Sequence, residues 1–417
     1  MRIEYISVGK YRILKNVELT FDHRTGASFL QGIYGNLGIS LFAGQNGSGK
    51  TSLLSFVAQI FHRLEREPET LPSEFVFEYS FVADDGGNVK CKLSKDENSH
   101  CVKLEVENGI KGIIRKNVRG VPILKSGELN YEEITGYLPS NIIVSAFSLH
   151  GEYPNPRNNN WIGDRRLDIY DTKNLYGANH FSFPSFSSAI RKLLELKRNN
   201  NAAIQTLESL IAGRFTGRVK IAEREVGAEA EWVEFSDEIS IQEKNQQIYI
   251  NDFEMESGSH LLTLANMSSG QKMLFVRLLS ILDGIKDNSI VIIEEPEIHL
   301  DINWSKQIIS VLLGFFSTYR AHLLIATHSY SLLNSVPNNW IFFATHGHFK
   351  NPKTSILLGN EASIAHEFFA TKPHAVEEQI LRFSAKATKR QLEDIFKALG
   401  DSGAKYTVFQ TLSKKNK

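Results

Sequence analysis

The chain has 417 residues, 42% hydrophobic and 23% charged, a mixture that can bury a core and excludes a disordered polymer. Lys plus Arg and Asp plus Glu are equal at 47 each, which excludes a general electrostatic coat for nucleic acid and leaves only a local basic patch open. Only two cysteines, Cys91 and Cys101, exclude a disulfide framework and fit a reducing compartment, while length argues for two or three domains.

The start, MRIEYISVGKYRIL, has no signal-peptide core, and its alternation predicts two short strands, RIEYISVG and LKNVELTF. GISLFAG (38–44) is an apolar run ending in glycine, the pattern of a buried strand, and TSLLSFVAQIFHRLERE (51–67) follows with helical spacing. Residues 74–108 alternate again (EFVFEYSFVA, NVKCKLS, HCVKLEVENG), with DDGG as a hairpin turn, so an antiparallel sheet is expected beside the core. NIIVSAFS (141–148) is a further buried strand, and GEYPNPRNNNWIGDRR (151–166) an irregular surface loop. Residues 185–211 predict a helical pair, too short for a long coiled-coil arm.

From 268 the pattern becomes βα-like. SSGQKMLFVRLLSILDGI reads as a helix, SIVIIEE as a buried strand, DINWSKQIISVLLGFFSTY as a helix, and HLLIATH and NWIFFAT as strands, which implies a mostly parallel sheet. THGHFKN (345–351) reads as a hairpin turn; His346 and His348 could share a strand face, but a metal site needs further ligands. Three or four short helices are expected from 360 to the closing KKNK. The longest apolar stretches, such as IISVLLGFF (308–316), fall short of the ~20 residues of a membrane span, so a cytoplasmic location without a membrane partner is expected.

GQNGSGKT is a complete phosphate-binding loop between a strand and a helix. Gly44, Asn46, Gly47, Ser48 and Gly49 let backbone N–H groups turn around an anion at a helix N-terminus, where Ser52 also lies. Lys50 would reach the β- and γ-phosphates and Thr51 would hold Mg²⁺; the bland alternative is a glycine-rich turn without a ligand. SIVIIEEPEIHLD (289–301) places Glu294 behind the magnesium, usually through water, and Glu295 at the attacking water as general base or orienter, against the alternative of an acidic surface turn. Glu294 stands where Asp is more usual, which bears on its direct metal contact. In ATHS (326–329), His328 at a strand end could bond the γ-phosphate, though by itself such a histidine is more often structural.

MSSGQK (267–272) is a second small turn, where Ser269, Gly270 and Gln271 open a helix. Alone it reads as an ordinary N-capped helix. One chain cannot easily fold both turns around the same γ-phosphate, whereas two chains arranged head to tail can, with ATP joining a two-fold homodimer or a higher homo-oligomer.

GQNGSGKT, MSSGQK, IIEEPEIHLD and ATHS, in this order, resemble ABC-type ATPase heads over most of 1–346. The family signature, Ser-Gly-Gly-Gln, here reads Ser268-Ser269-Gly270-Gln271, and Asp301 matches the family's D-loop aspartate, which touches the opposite subunit. The resemblance implies an α/β P-loop head with a mixed or parallel core sheet, an antiparallel β subdomain, a short helical arm and a C-terminal helical tail. It implies a head over 1–346, with an N-terminal lobe to 150, an insertion at 185–215 and a second lobe at 260–346, followed by a helical partner-binding segment at 347–417. ATP and Mg²⁺ are the implied ligands, with slow or regulated hydrolysis. One departure is plain: no Gln lies between Gln59 and Gln205 to serve as the family's Mg²⁺ sensor, so a group near FSLHGE (147–152) would have to substitute.

Transporter ATPases carry a coupling surface for membrane domains, and chromosome-organising heads are interrupted by long coiled coils; neither feature is found. EEPEIHLD, LPSNIIVSAFSLHGEYP and the helical tail resemble prokaryotic anti-phage defence ATPases related to the overcoming-lysogenization-defect group, and most of all the Septu and retron-associated PtuA ATPases. After residue 330 the only aspartates are Asp394 and Asp401, too few for that group's Toprim nuclease. The resemblance therefore implies a separate HNH-type nuclease subunit, with DNA reached through it. Two other readings stay open: a RecF-like repair head acting on DNA directly, and a nucleotide-gated assembly module with negligible hydrolysis.

Overall fold

A computed structural model describes residues 1–22, 32–64, 70–71, 73–83, 86–97, 99, 101–114, 128–129, 131–146, 153–154, 170–174, 183–199, 201–223, 229–353, 355–359, 375–399 and 403–415. FSLHGE and most of the 151–166 loop lie outside them. The chain divides into two compact units, Met1–Glu361 and Ala362–Lys417.

The first unit opens with β1 (Arg2–Tyr11) and β2 (Leu14–Thr20), then β3 (Gly38–Ala43) and the helix Lys50–Leu64. Strands β4 (Phe75–Val82), β5 (Asn88–Lys95), β6 (Val102–Val106), β7 (Lys111–Ile114) and β8 (Glu128–Leu129) follow, then β9 (Asn141–Ala146) and β10 (Tyr170–Asn174). The helices Phe183–Arg198 and Ala202–Ile211 lead to β11 (Arg214–Glu223), β12 (Glu231–Glu234), the helix Asp237–Lys244, β13 (Ile248–Ser257) and β14 (His260–Thr263). The helix Ser269–Gly284, β15 (Ser289–Glu294), the helix Ile302–Phe316, β16 (His322–Thr327), β17 (Ile341–Thr345) and β18 (His348–Lys350) complete it.

These strands form three sheets: β2-β1-β4-β5-β6-β7-β8, β10-β9-β15-β16-β3-β17-β18, and β12-β11-β13-β14. The second is parallel except for the β17–β18 hairpin, and β3, β15 and β16 are buried along their whole length, as parallel strands covered on both faces must be. The helix Lys50–Leu64 packs into a core shared by the first two sheets. Its Phe56 and Phe61 rings meet Phe75 and Phe77 of β4, while Ile292, Leu324 and Phe42 enter the same core from the parallel sheet. That explains why Leu53, Leu54, Val57, Ala58 and Ile60 are all buried although they do not share one face: the helix has two apolar neighbours. Each fully buried Leu, Ile or Phe contributes on the order of 2 kcal/mol.

A buried histidine ties the two layers. His322 Nδ1 accepts from Ile3 N at 3.0 Å, and Nε2 lies 3.0 Å from Ser40 Oγ, so β16 is bonded to β1 and β3 at once. The third sheet is not foreseen from the sequence. A register shift between Phe215 and Val219, at Gly217, breaks the alternation of β11. Phe215, Phe253 and Phe275 cluster to fix this sheet to the helix Ser269–Gly284. The second unit has three described helices, Ala375–Lys386, Lys389–Ala398 and Gly403–Lys415, around Ala387, Leu392 and Val408.

THGHFKN is a hairpin: His346 and Gly347 both take positive φ, 49° and 82°, between the paired Thr345 and His348. Gly347 N donates to Ser48 O at 2.8 Å, so the hairpin braces the phosphate loop. A Cβ at Gly347 would stand 2.5 Å from Ile13 O. Gly347→Ala is expected to lower stability by about 2 kcal/mol, from backbone strain plus this overlap, read as a drop in the urea midpoint. An unchanged midpoint would refute the bracing role.

Candidate functional site

The register of the parallel sheet sets the site. Glu294 pairs with Ala326, Ala326 with Phe42, and Thr327 with Ala43, so the carboxyl ends of β15, β16 and β3 reach one edge together. Ligands of open α/β sheets bind at that edge. There a cavity of about 530 Å³ is lined by Asn46, Gly47, Ser48, Gly49, Lys50, Thr51 and Ser52 from the loop and helix start, by Glu295 and His328 from the next two strand ends, and by Arg12 and Ile13. A larger hollow of about 790 Å³ beside the helical pair has its Lys197 and Glu208 already joined at 2.6 Å, and the phosphate loop, Glu295 and His328 are not in its lining.

Lys50 is 5% exposed, and its Nζ donates to Gly44 O at 2.9 Å and to Gln45 O at 3.1 Å. Burial pushes its ammonium down to about 8, against the opposing pull of Glu295, Glu294 and Glu297. Gly44 thus joins the site through its carbonyl rather than as part of the lining. Glu294, the last residue of β15, is buried and also stands outside the lining.

Glu295 Oε1 lies 3.0 Å from His328 Nε2, and this hydrogen bond holds the Glu295 carboxyl below the usual range despite burial. Its backbone is left-handed, φ 43°, and its N–H donates to Ala326 O at 2.8 Å. Two residues the sequence reading passed over hold this corner. Glu297 Oε1 accepts from Thr327 Oγ1 at 2.6 Å, His328 N at 2.9 Å and Ser329 N at 3.1 Å, fixing the segment that carries His328. Arg277, inside the helix Ser269–Gly284, donates to Glu294 O and Glu295 O at 3.0 and 3.2 Å. The available signals were the third carboxylate of EEPE and a lone arginine amid the apolar run MLFVRLLSIL. Arg12 and Ile13, in the β1–β2 turn, carried no sequence signal.

The second glycine turn does not line this cavity. Ser268 caps the helix, accepting from Gln271 N at 3.3 Å while its own N–H donates to Gln271 Oε1 at 2.9 Å. Gln271 is therefore engaged in a capping box, Ser269 is exposed, and Gly270 allows His299 O to approach within 2.8 Å of where a Cβ would stand. Asp301 is an exposed N-cap that accepts from Asn303 N and Trp304 N at 2.7 and 3.1 Å.

Residues 145–334 match the family model described as "AAA domain, putative AbiEii toxin, Type IV TA system", a span of less than half the chain. The phosphate loop lies ahead of the matched span, so the match and the loop together cover both parts of the cavity wall. No curated protein matches the sequence. Among solved structures the chain is similar to the SMC head domain from Thermotoga maritima, with 11% identity, TM-score 0.42, and 85% of this chain and 100% of that one covered. An SMC head from Pyrococcus furiosus, bound to the C-terminal domain of ScpA, gives 12%, 0.40, 88% and 99%. A nucleotide-free ATP-binding cassette from an ABC transporter gives 10%, 0.33, 87% and 96%. At these scores the likenesses are loose. The fold is α/β, with a mixed core sheet, antiparallel β layers, a short helical pair and C-terminal helices. Among the described residues no helix is long and apolar enough to cross a membrane.

Anion binding at Lys50 requires its ammonium, and a bound phosphate would raise the value from about 8. ATP affinity of the full chain should therefore fall as pH rises above about 8, by up to about tenfold per pH unit, as a fluorescent-ATP titration would read. An affinity flat between about pH 7 and 10 would contradict this.

Proposed function

We propose that this chain binds and hydrolyses ATP as an ABC-type head, closes as a dimer around the nucleotide, and regulates a separate nuclease subunit in anti-phage defence. The observation that carries the reading is the convergence of Lys50, Glu295 and His328 on one cavity walled by the glycine loop. Loop N–H groups and Lys50 cradle the phosphates. Thr51, in the lining, and Glu294, buried at the end of β15 outside it, carry a hydroxyl and a carboxylate, hard oxygen donors that would hold Mg²⁺, whose charge would offset that of the phosphates. Glu295, kept ionised beside His328, takes the proton of a water that attacks the γ-phosphorus as the bond to ADP breaks. His328 bonds the γ-phosphate.

The dimer is supported by where the second turn stands. Ser269 and Asp301 are exposed, outside the cavity of their own chain, with Ile302 beside them 62% exposed. A two-fold partner would bring Ser269, Gly270 and Gln271 over the other chain's ATP, with Asp301 at the same interface. The defence role draws on EEPEIHLD, on the helical tail proposed as the nuclease-binding segment, and on a matched family whose description names a toxin.

Glu295→Gln should retain ATP binding, lower phosphate release by at least ~10²-fold and hold the ATP-bound dimer, as sizing with light scattering would read. Ser269→Arg should spare binding and abolish the dimer. Unchanged phosphate release in Glu295→Gln would overturn the hydrolytic assignment. For the partner, native mass spectrometry of the chain co-expressed with its genomic neighbours should show a co-purifying small nuclease. A chain that dimerises with ATP and recruits nothing would favour a head that acts on DNA directly.

A further inference from the structure

We propose that Arg277 is a positioning residue for hydrolysis, holding the backbone of Glu295 so that its carboxylate faces the nucleotide cavity. The proposal rests on Glu295 being the residue that handles the attacking water. Arg277 is 1% exposed, in the middle of the helix Ser269–Gly284, and a buried guanidinium is costly unless its N–H groups are used. They are spent on backbone carbonyls at the tips of two adjacent parallel strands: Ser145 O of β9 at 3.4 Å, Glu294 O of β15 at 3.0 Å and Glu295 O at 3.2 Å. Burial lowers its pKa to about 9, opposed by Glu297, Glu294 and Glu295, so it stays charged at neutral pH.

The clamp matters because of the backbone it holds. A glutamate at φ 43° is in the left-handed region, which disfavours side chains bearing a Cβ, so the conformation has to be imposed from outside. On one side Glu295 N–H is bonded to Ala326 O; on the other, the Glu294 and Glu295 carbonyls are bonded to Arg277. With both sides fixed, the side chain leaves the strand tip toward His328. Arg277 itself does not line the cavity, so it reaches the chemistry only through Glu295. The helix that carries it also begins with the exposed Ser-Gly turn and is anchored at its far end, where Lys192 Nζ donates to Leu282 O at 3.3 Å and Asn141 Nδ2 to Gly284 O at 2.8 Å.

The test is steady-state and single-turnover ATP hydrolysis, with ATP affinity measured separately, on full-length wild type, Arg277→Met, Arg277→Lys, Glu295→Gln and the Arg277→Met/Glu295→Gln double variant. A displaced Glu295 should cost Arg277→Met about 10²-fold in kcat with ATP affinity within about threefold of wild type. Arg277→Lys, with fewer donors for the same carbonyls, should recover part of that loss. The double variant should be no slower than Glu295→Gln alone, because the two act as one unit. Wild-type kcat in Arg277→Met, or a further loss in the double variant, would overturn the proposal. If Arg277→Met fails to fold, Arg277→Lys decides: about a tenfold lower kcat at unchanged affinity supports it, and wild-type kcat overturns it. Should Glu295→Gln itself hydrolyse ATP normally, the underlying assignment of Glu295 fails instead, which is a distinct result.

Discussion

The register between β15, β16 and β3 is the constraint on which everything else depends. Parallel pairing puts the ends of three strands, remote in sequence, on one edge within one residue of each other. A slip of one residue in β16 would break the bonds of buried His322 to Ile3 N and Ser40 Oγ and would separate His328 from Glu295. The His322 bonds therefore fix the alignment of the polar tips within a sheet that burial holds together. The apolar energy lies in the strands, and Glu295 and His328 of the proposed site stand just past their ends.

At that edge the molecule concentrates features that cost stability elsewhere. Lys50 is buried, Glu295 is left-handed, and Arg277 is an enclosed charge. Each is held by backbone: the Gly44 and Gln45 carbonyls for Lys50, Ala326 O for the Glu295 N–H, and the strand-tip carbonyls for Arg277. Strain and buried charge in one place support the proposed nucleotide site. The brace from the β17–β18 hairpin and the three-way clamp at Glu297 extend the same design, because each fixes a loop that bears a site residue.

Much of this was legible in the sequence because local patterns carry it. The glycine loop between a strand and a helix, the apolar run ending in Glu294 and Glu295, and the βα alternation from 268 onward all appear in the fold. What was not legible depends on contacts between distant segments. Arg277 looks like an interruption in an apolar helix until β9 and β15 are placed beneath it. Arg12 and Ile13 enter the cavity only because the first sheet packs against the same helix as the second. The four-stranded sheet was hidden by the break in alternation at Gly217. Gln271 shows the converse: a residue expected at a partner chain's ATP also completes the capping box of its own helix with Ser268.

The central claim is that phosphate is held at this shared strand edge, and amide hydrogen exchange of the full chain with and without a slowly hydrolysed ATP analogue tests it most directly. The account predicts slowed exchange in peptides covering 44–52, 294–298 and 327–329 together. Protection confined to other segments, with these three unchanged by the nucleotide, would contradict it.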